Sequence, residues 1–224
     1  LASMSRADAP VVIVGLGEMG AAFAHGLLRV GRTVVPVNRG DDPRALDVRP
    51  ELALVAVGED DLDGVLAALP DAWRDRVGLL QNELSPRERH GIVEPTVAIV
   101  WFEKKRSKPL NVVLPTVLAG PRGPLLADAI SALSLPAEIV GSERLAHELV
   151  KKNLYILTAN VAGLVTGGTV SELWRAHRAL AEDVARDVLA IEAWGPRGGP
   201  PEADLVAPVV EAVEAGPTPD PAGP

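Results

Sequence analysis

The sequence predicts an α/β nucleotide-binding domain followed by an all-helical C-terminal domain. Three observations carry this: strand-like and helical stretches alternate up to Val140, a glycine-rich turn follows the first strand, and no strand-like alternation returns after Gly141. Val11-Val12-Ile13-Val14 is β-branched throughout, as a strand buried on both faces requires, and it empties into Gly15-Leu16-Gly17-Glu18-Met19-Gly20. A strand that stops at a Gly-x-Gly-x-x-Gly turn and restarts as a helix leaves unpaired backbone N–H groups at the helix mouth, where a pyrophosphate can sit.

The spacing alone is weak, because the chain holds 21 glycines. Context strengthens it. Ala21, Ala24, Leu27 and Leu28 recur at helical spacing between Ala21 and Val30, Gly31 is a stop signal, and Thr33 to Val37 closes a compact β-α-β unit. Gly15, Leu16, Gly17, Glu18, Met19 and Gly20 are therefore the candidate phosphate-binding turn; the alternative is a tight strand-helix joint with no ligand. The second strand ends Pro36-Val37-Asn38-Arg39. Arg39 offers a planar fork for a 2′-phosphate and Asn38 a neutral donor, which favours NADP(H) over NAD. Asp41 and Asp42 supply the competing reading, in which a carboxylate holds the ribose and Arg39 is a solvated cation.

Composition narrows the partners. A hydrophobic content of 47% supports a real core, and a formal net charge of −8 argues against nucleic acid or an anionic membrane as partner. With no cysteine there is no disulfide, thiolate metal site or cysteine nucleophile. No metal site is expected. No apolar run is long enough to span a bilayer, so cytoplasm is the default expectation.

Further along, Pro43 and Pro50 break the stretch before Leu52, so the next crossover is abbreviated. Leu52 to Val57 reads as a strand, Asp60 to Leu69 as a helix with an acidic first turn, and Val77 to Gln81 as a strand. Val97 to Trp101, Val112 to Val117 and Ala137 to Val140 are expected to complete the sheet. The basic run Lys104-Lys105-Arg106-Ser107-Lys108 reads as a solvated turn or an anion contact. Residues 10–140 thus form the expected nucleotide-binding domain. In 141–214, Ser142 opens a long helix to about Val165, Thr166-Gly167-Gly168-Thr169 turns, and Ser171 to Trp194 forms a second helix. A short helix is expected near 202–214 and a disordered tail at 215–224.

Lys152, Ile156 and Asn160 are spaced by four on the long helix, and Gly163 continues their face. A lysine aimed into a cleft can hydrogen-bond a carbonyl oxygen and deliver a proton as hydride arrives, while an asparagine orients a polar group. The structural alternative is a snorkelling lysine and an asparagine that satisfies backbone.

Taken together, the early glycine turn, Asn82 just after the Val77 strand, Lys152 with Asn160 eight residues on, and Thr166-Gly167-Gly168-Thr169-Val170-Ser171-Glu172-Leu173 resemble the ketopantoate reductase family. That family is similar in fold to the 6-phosphogluconate dehydrogenase-like group, a Rossmann domain followed by helices, and the resemblance spans about residues 10 to 194. It implies Lys152 as the catalytic lysine, Asn160 as a substrate-binding asparagine, and Asn82 beside both nicotinamide and substrate. It also implies an NADPH-dependent reduction of a small 2-oxo acid, such as 2-dehydropantoate, or of a related carbonyl or imine.

The chain departs from the family at three places. Ile156 stands where a polar residue is usual, Val57-Gly58 replaces a usual lysine, and the family's C-terminal helices have no clear counterpart after Gly195. The short helical region leaves apolar faces with few intrachain partners, so a homodimer through this domain is expected. The competing functional class is a non-catalytic NADP-binding sensor or assembly protein that has lost the C-terminal part of the substrate site.

Overall fold

The computed structural model describes residues 9–80, 91–103, 111–167 and 170–193. β1 (Val11–Val14) is fully buried and pairs in parallel with β2 (Val34–Val37) on one side and β3 (Leu52–Val55) on the other. β4 (Val77–Leu79) and β5 (Thr96–Ile99) extend the parallel array. β8 (Thr116–Ala119) then runs antiparallel to β5 and carries β9 (Ala137–Ile139) parallel to itself. The order β2-β1-β3-β4-β5-β8-β9 makes one seven-stranded sheet, with Pro36 tolerated because β2 is an edge. A separate short hairpin pairs β6 (Phe102–Glu103) with β7 (Asn111–Val112).

Alternation along each strand divides the core into two layers. Val11 and Ile13 pack with Leu52, Leu54, Ala98 and Leu118 beneath α1 (Glu18–Arg29) and the helix Gly123–Ser131, α3 in chain order after α2 (Glu59–Ala68). Gly26 permits this pairing of helices: a Cβ there would overlap the carbonyl oxygen of Ala129. On the opposite face Val12, Val14, Ala53, Val55 and Leu79 meet Leu62 and Leu66 of α2 together with Trp73. The abbreviated crossover between β2 and β3 is a 3₁₀ turn, Pro43–Ala45, whose first turn is capped by Asp42 accepting from the Arg44 N–H at 2.9 Å.

α4 (Ser142–Thr166) links the sheet to the helical region. Leu149 in its first half packs on Val97, Ile99 and Val117, while Ala162 in its second half packs on Leu173, Trp174 and Ala181. The helices α5 (Val170–Ala176) and α6 (Arg178–Ala193) complete the described helical region, and Ala185 and Val188 of α6 return to Val150 and Leu154.

Two expectations need correction. Ser171 to Trp194 is not one helix: it breaks at His177, although the His177 N–H still reaches the Leu173 carbonyl at 2.8 Å. The break lets α5 and α6 both pack on the single long helix α4. The strand expected at Val112 to Val117 is instead divided between β7 and β8, because Pro115 has no N–H to give a ladder. α3 was not among the expected elements; Pro124 stands in its first turn, where the missing N–H costs no intrahelical bond. The long helix α4 does open at Ser142, as expected, with Gly141 as its N-cap. The basic run 104–108 and everything after Ala193, including the expected short helix and tail, lie outside the described residues.

Candidate functional site

The strand order reverses direction between β1 and β3, and the crevice outside the carboxyl ends of such strands is where an α/β sheet receives ligands. A cleft of about 690 Å³ lies there, lined by Gly15, Leu16 and Gly17 from the first turn, Asn38, Arg39 and Asp41 after β2, and Val57, Gly58, Asp60 and Asp61 after β3.

Each glycine of the turn has its own steric reason. Gly15 has φ +93° and a Cβ there would lie 2.6 Å from the carbonyl oxygen of Ala56. A Cβ on Gly20 would overlap the carbonyl oxygen of Gly15, so these two hold the turn closed. Gly17 is different: nothing lies within 4 Å of its Cβ position, which leaves the backbone open to the cleft. Gly17 is also the N-cap of α1 and gives it no side-chain cap, while the first intrahelical bond comes from the Ala21 N–H. The Met19 and Gly20 N–H groups precede that bond at the positive end of the helix, an arrangement fitted to a pyrophosphate. Of the remaining turn residues, Leu16 and Glu18 are exposed and Met19 packs partly on the core.

Arg39 reaches across the cleft mouth and donates to Asp61 Oδ2 at 2.8 Å. The Asn38 N–H donates to Asp41 Oδ2 at 2.7 Å, which fixes the turn after β2.

Lys152 stands at the same edge of the sheet. Its Nζ donates to the carbonyl oxygen of Val100, the residue that follows β5, at 2.8 Å. β1, β3, β4 and β5 are mutually parallel, so Val100 and the glycine turn lie at carboxyl ends separated by three strand spacings, about 14 Å. The ammonium also sits 4.3 Å from the Trp101 ring centroid and 5.8 Å from that of Tyr155. Trp101 is 1% exposed and stacks tilted on Tyr155 at 5.4 Å. Its backbone is held by Thr116 Oγ1, which accepts from its N–H at 3.4 Å, and by the Val113 N–H, which donates to its carbonyl at 2.8 Å. The negative face of an indole attracts a cation placed over it.

Sequence reading missed Trp101 and Tyr155. One signal was available: the chain's only tyrosine lies one helical turn from Lys152. Truncation of Trp101 to alanine empties a fully buried indole, and denaturant unfolding is expected to show a loss of about 3–5 kcal/mol.

Ile156 is half-buried and Asn160, about 12 Å further along α4 than Lys152, is exposed. Gly163 meets open space rather than a closely approaching backbone. Asn82 lies outside the described residues, as do Gly168 and Thr169 of the turn after α4. Among the described residues no group of three or more His, Asp or Glu side chains is placed to hold a metal ion, and no helix is long and apolar enough to cross a membrane.

No protein-family model matches the sequence, and no curated protein is similar enough to match it. Solved structures do match. The 2-dehydropantoate 2-reductase from Methylococcus capsulatus superposes with a TM-score of 0.69 at 15% identity, over 93% of this chain and 81% of that one. A dimeric ketopantoate reductase from Staphylococcus aureus gives 0.64 at 17% identity, over 91% and 86% of the two chains. D-mandelate dehydrogenase, solved with NADH, gives 0.65 at 14% identity, over 92% and 79%. The chain therefore has the fold of the 2-dehydropantoate 2-reductases, a Rossmann-type sheet joined to C-terminal helices.

Proposed function

We propose that this chain is a nicotinamide-dependent oxidoreductase, and more narrowly an NADPH-dependent reductase of a small 2-oxo acid, 2-dehydropantoate or a related carbonyl or imine. The observation that carries the reading is the Lys152 ammonium at the carboxyl end of β5, on the sheet edge that also bears the glycine turn. Gly15, Gly17 and Gly20 would hold the dinucleotide phosphates, with Arg39 and Asn38 toward the adenosine. When bound, the reduced nicotinamide supplies hydride to the substrate carbonyl carbon. Lys152 donates a hydrogen bond to the carbonyl oxygen and gives up a proton as negative charge develops there. Asn82 is proposed to position substrate near the nicotinamide, and the exposed Asn160 to orient its outer end. NADPH consumption with 2-dehydropantoate and a panel of 2-oxo acids and imines tests the reading directly. Turnover on at least one member supports it, and NADPH binding without consumption across the panel contradicts it.

Ile156 bears on substrate choice. An apolar side chain on the lysine's face leaves a substrate hydroxyl without a partner, and an unpaired buried polar group is costly. The panel is therefore expected to show higher kcat/KM for an apolar oxo acid or imine than for 2-dehydropantoate; equal values contradict this.

A homodimer through the helical region is proposed on a second surface. Leu157, Val161, Leu164 and Val165 lie along one side of α4, with Leu164 88% and Val165 77% exposed. Light scattering at micromolar concentration is expected to give a dimer mass, and Leu164→Glu a monomer. A monomeric parent chain contradicts the proposal.

One observation favours the non-catalytic reading, an NADP-binding sensor or assembly protein: Lys152 is engaged by the Val100 carbonyl and the Trp101 ring. In that reading the lysine is a clamp between α4 and β5, and its removal lowers stability without touching any turnover.

A further inference from the structure

Among the charged residues that line the cleft, one cation meets three carboxylates: Arg39 shares the space with Asp41, Asp60 and Asp61. Arg39 is held by Asp61 at 2.8 Å, whereas Asp41 accepts from a backbone N–H. Helix polarity accounts for acids in the first turn of α2, where Glu59, Asp60 and Asp61 all lie. It does not single out Asp61. The guanidinium that Asp61 occupies is the group that a 2′-phosphate needs. A phosphate monoester with close to two negative charges has to displace Asp61 and then sit beside the remaining carboxylates. A ribose 2′-hydroxyl, by contrast, can donate to a carboxylate and gain from the same surroundings.

We infer that Asp61 is a specificity-determining residue of this cleft: it competes with a 2′-phosphate for Arg39 and thereby narrows the preference for NADPH over NADH. The inference rests on the nucleotide reading given above. Arg39 is 89% and Asp61 51% exposed, so solvent screens the pair and its effect on the preference is modest.

Direct calorimetric titration of the full chain with NADPH and with NADH reads the effect without any turnover. Asp61→Asn is expected to raise the ratio of NADPH to NADH affinity by about two- to fivefold. Asp60→Asn, on the neighbouring position but not bonded to Arg39, is expected to raise it less. In an Arg39→Ala background Asp61→Asn is expected to add no more than Asp60→Asn does, since competition requires the shared guanidinium. An unchanged ratio in Asp61→Asn, an equal gain in Asp60→Asn, or a gain in Asp61→Asn that is undiminished without Arg39 overturns the inference. Failure of both the parent chain and Asp61→Asn to bind either dinucleotide is a separate outcome, which overturns the nucleotide reading itself.

Discussion

Lys152→Ala is expected to lower kcat for NADPH-dependent reduction by about 10²–10⁴-fold, the range associated with a positioned acid, while NADPH affinity stays at the parent value. The split follows from position. Lys152 is at the carboxyl end of β5, about 14 Å by strand spacing from the turn where the phosphates would sit, so its loss does not disturb their donors. The lysine is also anchored, by the Val100 carbonyl and the buried Trp101 ring, so its removal carries some structural cost. Two measurements separate the roles. Steady-state kinetics and denaturant unfolding are run on Lys152→Ala and on Lys152→Met, which retains much of the aliphatic stem. Turnover lost in both, with stability largely recovered in the methionine variant, supports the proton-donor role. Unchanged turnover with reduced stability supports the clamp.

Gly20→Ala is expected to abolish dinucleotide binding and to destabilise the fold by about 1–3 kcal/mol, because the added methyl overlaps the Gly15 carbonyl oxygen. Both atoms in conflict are tied to backbone, so no flexible side chain can yield. The turn has to open, and with it the alignment of the α1 N-terminus. Gly17→Ala provides the contrast. Its methyl meets nothing within 4 Å, so stability is expected to stay within about 0.5 kcal/mol while dinucleotide affinity falls, since that open space is part of the cleft. Thermal melts and dinucleotide titration of the two variants check the pair. Equal binding by both variants and the parent chain contradicts a phosphate at this turn.

The contrast between these glycines shows how far sequence reading reaches. Val11 to Gly20 was legible because a buried strand, a tight turn and a helix start each leave a local signature, and the structure puts the helix start at Glu18 with Gly17 as cap. Lys152 was legible as a candidate because a lysine and an asparagine on one stripe of an otherwise apolar helix need a reason. α3 was not legible: Gly120-Pro121-Arg122-Gly123-Pro124 reads as a loop, yet proline in the first turn of a helix removes an N–H that has no intrahelical partner. Nor was the setting of Lys152. Val100 is 52 residues away in sequence and Trp101 one fewer, and only the sheet brings β5 against α4. The Arg39–Asp61 pair, 22 residues apart, depends likewise on β2 and β3 flanking β1. Local chemistry was readable and its tertiary partners were not.

The most direct test is a structure of the chain with NADPH and a non-reacting 2-oxo acid analogue bound. In that complex the pyrophosphate is expected against the Gly15 to Gly20 turn, and Lys152 Nζ turned from the Val100 carbonyl to about 3 Å from the analogue's oxo oxygen. A nicotinamide lying away from β5, with Lys152 still on Val100, contradicts it.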